Sequence, residues 1–114
     1  MIIGTISENK DLEKRVSITP DIIKKYISQG FKLLIEQDYG EHLGFSNDIY
    51  IKEGCEIENR ENVLKKSDII LQINLPDEKS LQAINENKLL VGVFDANQNK
   101  EKLASLSNKK VNIF

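Results

Sequence analysis

Arg15 is the residue of this sequence best suited to hold a small anion. It sits in Glu13-Lys14-Arg15-Val16-Ser17-Ile18-Thr19-Pro20, just ahead of residues that read as a helix start. A guanidinium is permanently charged and can hold a carboxylate through two parallel hydrogen bonds. Gln72, Asn74, Asp95 and Asn97 each follow a later apolar run. If those runs are strands of one parallel sheet, all five residues fall at its carboxyl edge, where ligands collect. One guanidinium, three amides and a carboxylate facing one crevice would suit a small polar ligand. The bland alternative is a local ion pair between Arg15 and Glu8 or Glu13, and the residues alone leave both readings open.

Other chemistries are poorly served. His42 and Cys55 are the only soft ligands, and neither has partners at metal spacing. His42 reads as a loop residue and Cys55 as a small buried one. No metal site and no catalytic residue is expected. A dinucleotide fingerprint needs glycines after the first strand, so that backbone can approach a pyrophosphate at a helix N-terminus. Here that turn is Ser7-Glu8-Asn9-Lys10, the six glycines never fall as Gly-x-Gly, and none precedes a lysine. Glu36 stands where a ribose-binding acid would stand, but without the glycine turn it reads as an exposed strand-end acid.

The elements that must position these residues alternate. Apolar runs at 2–6, 31–36, 55–58, 68–73, 88–94 and 111–114 read as strands. Helices are expected over 20–29 and 47–53, after Asn59 with Val63 and Leu64 inside, and over 77–84 and 101–106. Thr19, Ser46 or Asn47, and Asn59 stand at their N-caps, with Gly30 and Gly54 as stops. This alternation predicts an α/β fold: a doubly wound, mostly parallel sheet, Rossmann-like or flavodoxin-like. Runs such as Ile69-Ile70-Leu71 and Leu89-Leu90-Val91 fit strands covered on both faces. Residues 1–114 read as a single domain. The sequence stops inside an apolar run with no helix to follow, which reads as a piece of something longer, truncated at its C-terminal end.

Composition excludes several classes of partner. Sixteen basic and eighteen acidic residues are interspersed, so no basic block points to nucleic acid. No apolar run is long enough to insert directly into a membrane, and the first residues lack the pattern of a signal peptide. A lone cysteine cannot form an internal disulfide, which fits a reducing cytoplasmic setting.

Three segments in register carry a family resemblance. RVSITP (15–20) resembles the Arg-Val-x-x-Thr-Pro segment of the N-terminal domain shared by alanine dehydrogenases and the alpha subunit of proton-translocating NAD(P) transhydrogenases. IEQDYGEHLGFSNDIYIKEGCEI (35–57) is similar to its strand, glycine loop, Phe-x-Asp helix and Ala-Gly-Ala turn. DIILQINLP (68–76) resembles the next strand and its proline-terminated loop. In alanine dehydrogenases the resemblance implies an arginine at Arg15, a lysine at Asn74 and a histidine at Asp95, which hold and protonate the keto acid. Only Arg15 is kept. The transhydrogenase branch has Val-Asn-x-Pro at 73–76 and a Gln-Asn pair at Gln98-Asn99, so the sequence is closer to that branch. Departures include Gln72 for the family's common lysine, Ile6 for its proline, and Asp38-Tyr39-Gly40 for its Gly-Ala-Gly loop.

The resemblance implies the N-terminal portion of an NAD(H)-binding alpha subunit, incomplete on its own. In the complete protein NAD(H) would be contacted mainly by a second domain, and no metal is implied. Partners would be the remaining transhydrogenase domains and subunits, with a homodimer allowed, and the setting cytoplasmic, peripheral to the inner membrane through those partners. The alternatives are a fragment of an alanine dehydrogenase-like amino-acid dehydrogenase and a non-catalytic interaction module.

Overall fold

The computed structural model describes residues 1–11, 13–84, 87–92 and 112–113. Its strands are β1 (Ile2–Thr5), β2 (Lys32–Glu36), β3 (Glu56–Glu58), β4 (Ile69–Leu71), β5 (Leu89–Val91) and β6 (Asn112–Ile113). They form one sheet in the order β3-β2-β1-β4-β5-β6, and every pairing is parallel. That is the Rossmann order rather than the flavodoxin one, and it reverses direction between β1 and β4.

The two-residue period of the strands distributes their side chains to two cores. Leu34, Ile70 and Leu90 pack with Val63 and Leu64 of helix α3 (Arg60–Lys66), and with Leu81 and Ile84 on and beside helix α4 (Glu78–Gln82). Ile3, Leu33 and Ile35 point the other way. They pack with Ile23 of helix α1 (Ile23–Ser28), Tyr50 of helix α2 (Asn47–Glu53), Ile18, Tyr39 and Cys55. Burial at the second core pushes the Cys55 thiol up to about 12, so it stays protonated and inert at neutral pH.

Two of the expected caps form, and Asp77, expected inside its helix, is a third. Ser46, Asn59 and Asp77 accept from the backbone N–H of Ile49, Asn62 and Ser80. Thr19 does not. Its hydroxyl donates to the Asp21 carboxylate, and the first turn, Pro20–Ile22, is a 3-10 helix that leads into α1. A competing acid two residues on has taken the hydroxyl that would have capped. The strands also end earlier than the apolar runs. β4 stops at Leu71, because the N–H groups of Ile73 and Asn74 turn to the Glu8 carboxylate. The helix expected over 101–106 and the residues Asp95, Asn97, Gln98 and Asn99 lie outside the described residues.

Candidate functional site

A cavity of about 400 Å³ opens at the switch point, between the exits of β1 and β4. Ile6, Ser7, Glu8 and Asn9 form one wall; Gln72 and Asn74 to Asp77 form another. Arg60, the first residue of α3, reaches in from the side. The carboxyl edge therefore does hold a crevice; of the five residues expected there, Gln72 and Asn74 line it and Arg15 does not, while Asp95 and Asn97 lie outside the described residues.

Gln72 is spent on structure. It is 4% exposed, and all its contacts are internal. Its Oε1 accepts from the Ile6 N–H at 2.8 Å, and its Nε2 donates to Ile6 O at 3.1 Å and to Glu8 Oε2 at 2.8 Å. The amide thus copies one step of strand pairing and holds the β1 exit against β4. Asn74 is exposed at the mouth, and its backbone N–H donates to Glu8 Oε1 at 3.0 Å. Arg15 does not line the cavity. Its side chain is 77% exposed, and it pairs with Glu13, the local acid two residues before it.

Two residues that sequence reasoning passed over organise the crevice. Glu8, 9% exposed, takes three N–H donors, from Gln72, Ile73 and Asn74. No cation pairs with it among the described residues. Burial raises its pKa above the usual 4.5, with the backbone N–H groups of Ile73 and Asn74 opposing and Glu13 adding slightly. Arg60 donates to Glu36 Oε1 at 3.1 Å, to Ser7 O at 3.3 Å and to Ser80 Oγ at 3.4 Å, with Asp77 Oδ2 3.8 Å away. One signal could have found it: a guanidinium in the first turn of a helix opposes the helix dipole, so it needs a reason to be there. Glu36 is consequently not a solvated strand-end acid. Its carboxylate accepts from both Arg60 and the Ser7 N–H, the latter at 2.8 Å.

These groups do not fit a pyrophosphate. The β1 exit leads, over the described residues 6–11, into irregular chain rather than a helix N-terminus, and Glu8 lines the crevice. Among the described lining residues two carboxylates, Glu8 and Asp77, face one guanidinium, Arg60, and that balance disfavours an anion. Among the described residues no group of three His, Cys, Asp or Glu side chains could hold a metal ion, and no helix is long and apolar enough to cross a membrane.

The raised pKa of Glu8 has a sign that can be measured. The folded state binds this proton more tightly than the unfolded chain. The contribution is therefore full below pH 4.5 and is lost as pH rises through the folded pKa. Glu13 and Glu58, half-buried and lowered by Arg15 and Lys66, act in the opposite direction and are common to both proteins compared. Relative to Glu8→Gln, the wild type gains stability as pH falls from neutral toward 4.5, read from urea midpoints. A difference between the two proteins that does not change with pH would refute the shift.

Comparison with known proteins agrees with this fold. The family model for the alanine dehydrogenase/PNT N-terminal domain matches residues 4–114. Alanine dehydrogenase 1 of Staphylococcus aureus (strain bovine RF122 / ET3-1) is 32% identical over 101 residues, covering 89% of this chain and 27% of that protein. The chain thus spans about a quarter of the length of the curated relatives it matches. Among solved structures, a transhydrogenase from Sinorhizobium meliloti superposes with a TM-score of 0.93 at 21% identity, over 100% of this chain and 34% of that one. An L-alanine dehydrogenase gives 0.91 at 19% identity, over 99% and 31%.

Proposed function

Because the chain belongs to the alanine dehydrogenase/PNT N-terminal domain family, we propose that it is the N-terminal portion of a transhydrogenase-type alpha subunit. In this reading it forms one wall of a nucleotide cleft and is catalytically incomplete by itself. One observation carries the reading: among the described residues the crevice holds no free cation for a keto acid. The family's common lysine is replaced by Gln72, which is buried and consumed by Ile6 and Glu8. Arg15 turns out to Glu13, and Arg60 is tied to Glu36. A wall that positions a cofactor held elsewhere needs no acid, base or clamp of its own.

In the complete protein NAD(H) would be bound mainly by a second domain, and the remaining domains and subunits would complete the cleft and bring it to the membrane. A homodimer is compatible with this arrangement. The test is calorimetry of the 114-residue chain with NADH. No binding heat is expected, and micromolar affinity would overturn the proposal.

A second reading, a fragment of an alanine dehydrogenase-like enzyme, has the 32% identity to alanine dehydrogenase 1 in its favour. It predicts saturable NMR shifts near Arg15 and Asn74 on adding pyruvate. The transhydrogenase-type reading predicts none at either position.

A further inference from the structure

Between β1 and α1 no strand pairing holds the chain among the described residues, yet Ile18 is completely buried. Two tyrosine hydroxyls grip it. Tyr39 Oη accepts from the Ser17 N–H at 2.7 Å and from the Ile18 N–H at 3.3 Å. Tyr50 Oη donates to Ile18 O at 2.8 Å. The two rings meet edge to face with centroids 6.0 Å apart, and Phe45 closes on Tyr50 in the same way. Both tyrosines are buried, and burial raises the pKa of each, so both stay neutral.

The grip extends to the crevice. Thr5 Oγ1 lies 2.7 Å from Leu71 O and 3.1 Å from Tyr39 Oη. A hydroxyl has one proton, and the nearer carbonyl takes it. The Tyr39 proton is then free to complete the line to Thr5. The result is a run of hydrogen bonds from the Ser17 amide through Tyr39 and Thr5 to the end of β4, one residue before Gln72. Polar chains of this kind in a dry interior hold their members in one arrangement.

Nothing in the family pattern requires this. The resemblance places an alanine at position 39, within Gly-Ala-Gly. Here the loop also keeps Asp38 in the left-handed region, at φ 62°, where its backbone and carboxylate are matched by the Asn47 amide at 2.7 and 3.0 Å. A side chain at Asp38 is strained there unless something local compensates, and Asn47 does so.

We propose that Tyr39 is a positioning residue, whose hydroxyl locks the Arg15-bearing segment to the β4 exit, so that this segment and the β4 side of the crevice move as one body. This deepens the reading of the crevice as a cleft wall. Its test uses no ligand, so either idea can fail without the other. Tyr39→Phe keeps the ring and removes only the hydroxyl. Amide hydrogen exchange followed by NMR should then speed up about tenfold at Ser17 and Ile18, the size of one lost hydrogen bond. Asn74 should follow, while the β2 and β3 amides keep their wild-type rates. Thr5→Val leaves every tyrosine in place and should give the same local signature if the hydroxyls act in series. Unchanged rates at Ser17 and Ile18 in either variant, or an equal rise throughout β2 and β3, would overturn the proposal, since a side chain that only fills space produces one of those outcomes.

Discussion

Gln72→Leu should unfold at a lower urea concentration, with stability reduced by about 3 kcal/mol and an unchanged m-value. The two side chains have similar volume, so no cavity opens. What disappears is the pairing of three buried groups. The Ile6 N–H loses its acceptor, Ile6 O loses a donor, and Glu8 loses one of three donors. Each group left alone costs the desolvation it suffered on folding. Against a typical total of roughly 5–15 kcal/mol for a natural domain, this is a large fraction. Gln72→Lys restores the residue common in the family and separates the contributions. Its ammonium gives Glu8 a cation, but it cannot accept from Ile6. It should therefore lose less than leucine while still falling below wild type. A leucine variant within 1 kcal/mol of wild type, on the scale of one ordinary hydrogen bond, would mean that the amide is incidental.

The same residue explains how far the sequence could be read. The sheet was legible because its signal is local: apolar runs of strand length, with Ser46, Asn59 and Gly54 marking boundaries between them. The strand order was legible only as a choice between two doubly wound patterns, since pairing is a long-range property that no local window contains. The crevice was legible in position, because it follows from the order of the strands, but not in lining. Arg15 drew attention for its charge, yet a local acid two residues away holds it outside the cavity. Arg60 drew none, and Glu8 only as a candidate partner for Arg15. Their partners, Glu36 and Ser7 for one, Gln72 and Asn74 for the other, lie far along the chain and meet only through the sheet. Tyr39 was noticed as a departure from a small-residue loop, and its hydroxyl acquires a role only once Ser17 and Thr5 are seen beside it.

Gly4→Val should be about as damaging, at about 3 kcal/mol, and should disturb the crevice from a distance. Gly4 sits in the middle of β1 and faces α3. A Cβ there would lie 1.9 Å from Ser67 Oγ, 2.8 Å from Ser67 Cβ and 2.9 Å from Val63 Cγ1. Ser67 and Val63 are completely buried, so neither can swing into solvent. The helix must move outward or the strand must bend. Either shift carries Arg60, at the start of α3, away from Glu36 and Ser7 O, which it reaches at 3.1 and 3.3 Å. Loss of packing and loss of the crevice cation thus arrive together, although Gly4 touches no part of the cavity lining. A double-mutant cycle isolates the cause. Among the described residues Ser67 Oγ has no hydrogen-bond partner, so Ser67→Ala sacrifices no bond seen there and removes the closest contact. Combined with Gly4→Val it should recover part of the loss, a coupling of the size expected for residues in contact. It should also bring the Arg60 Nε resonance back toward its wild-type position. Strict additivity of the two substitutions would show that the glycine serves the strand alone and that α3 owes nothing to its close approach.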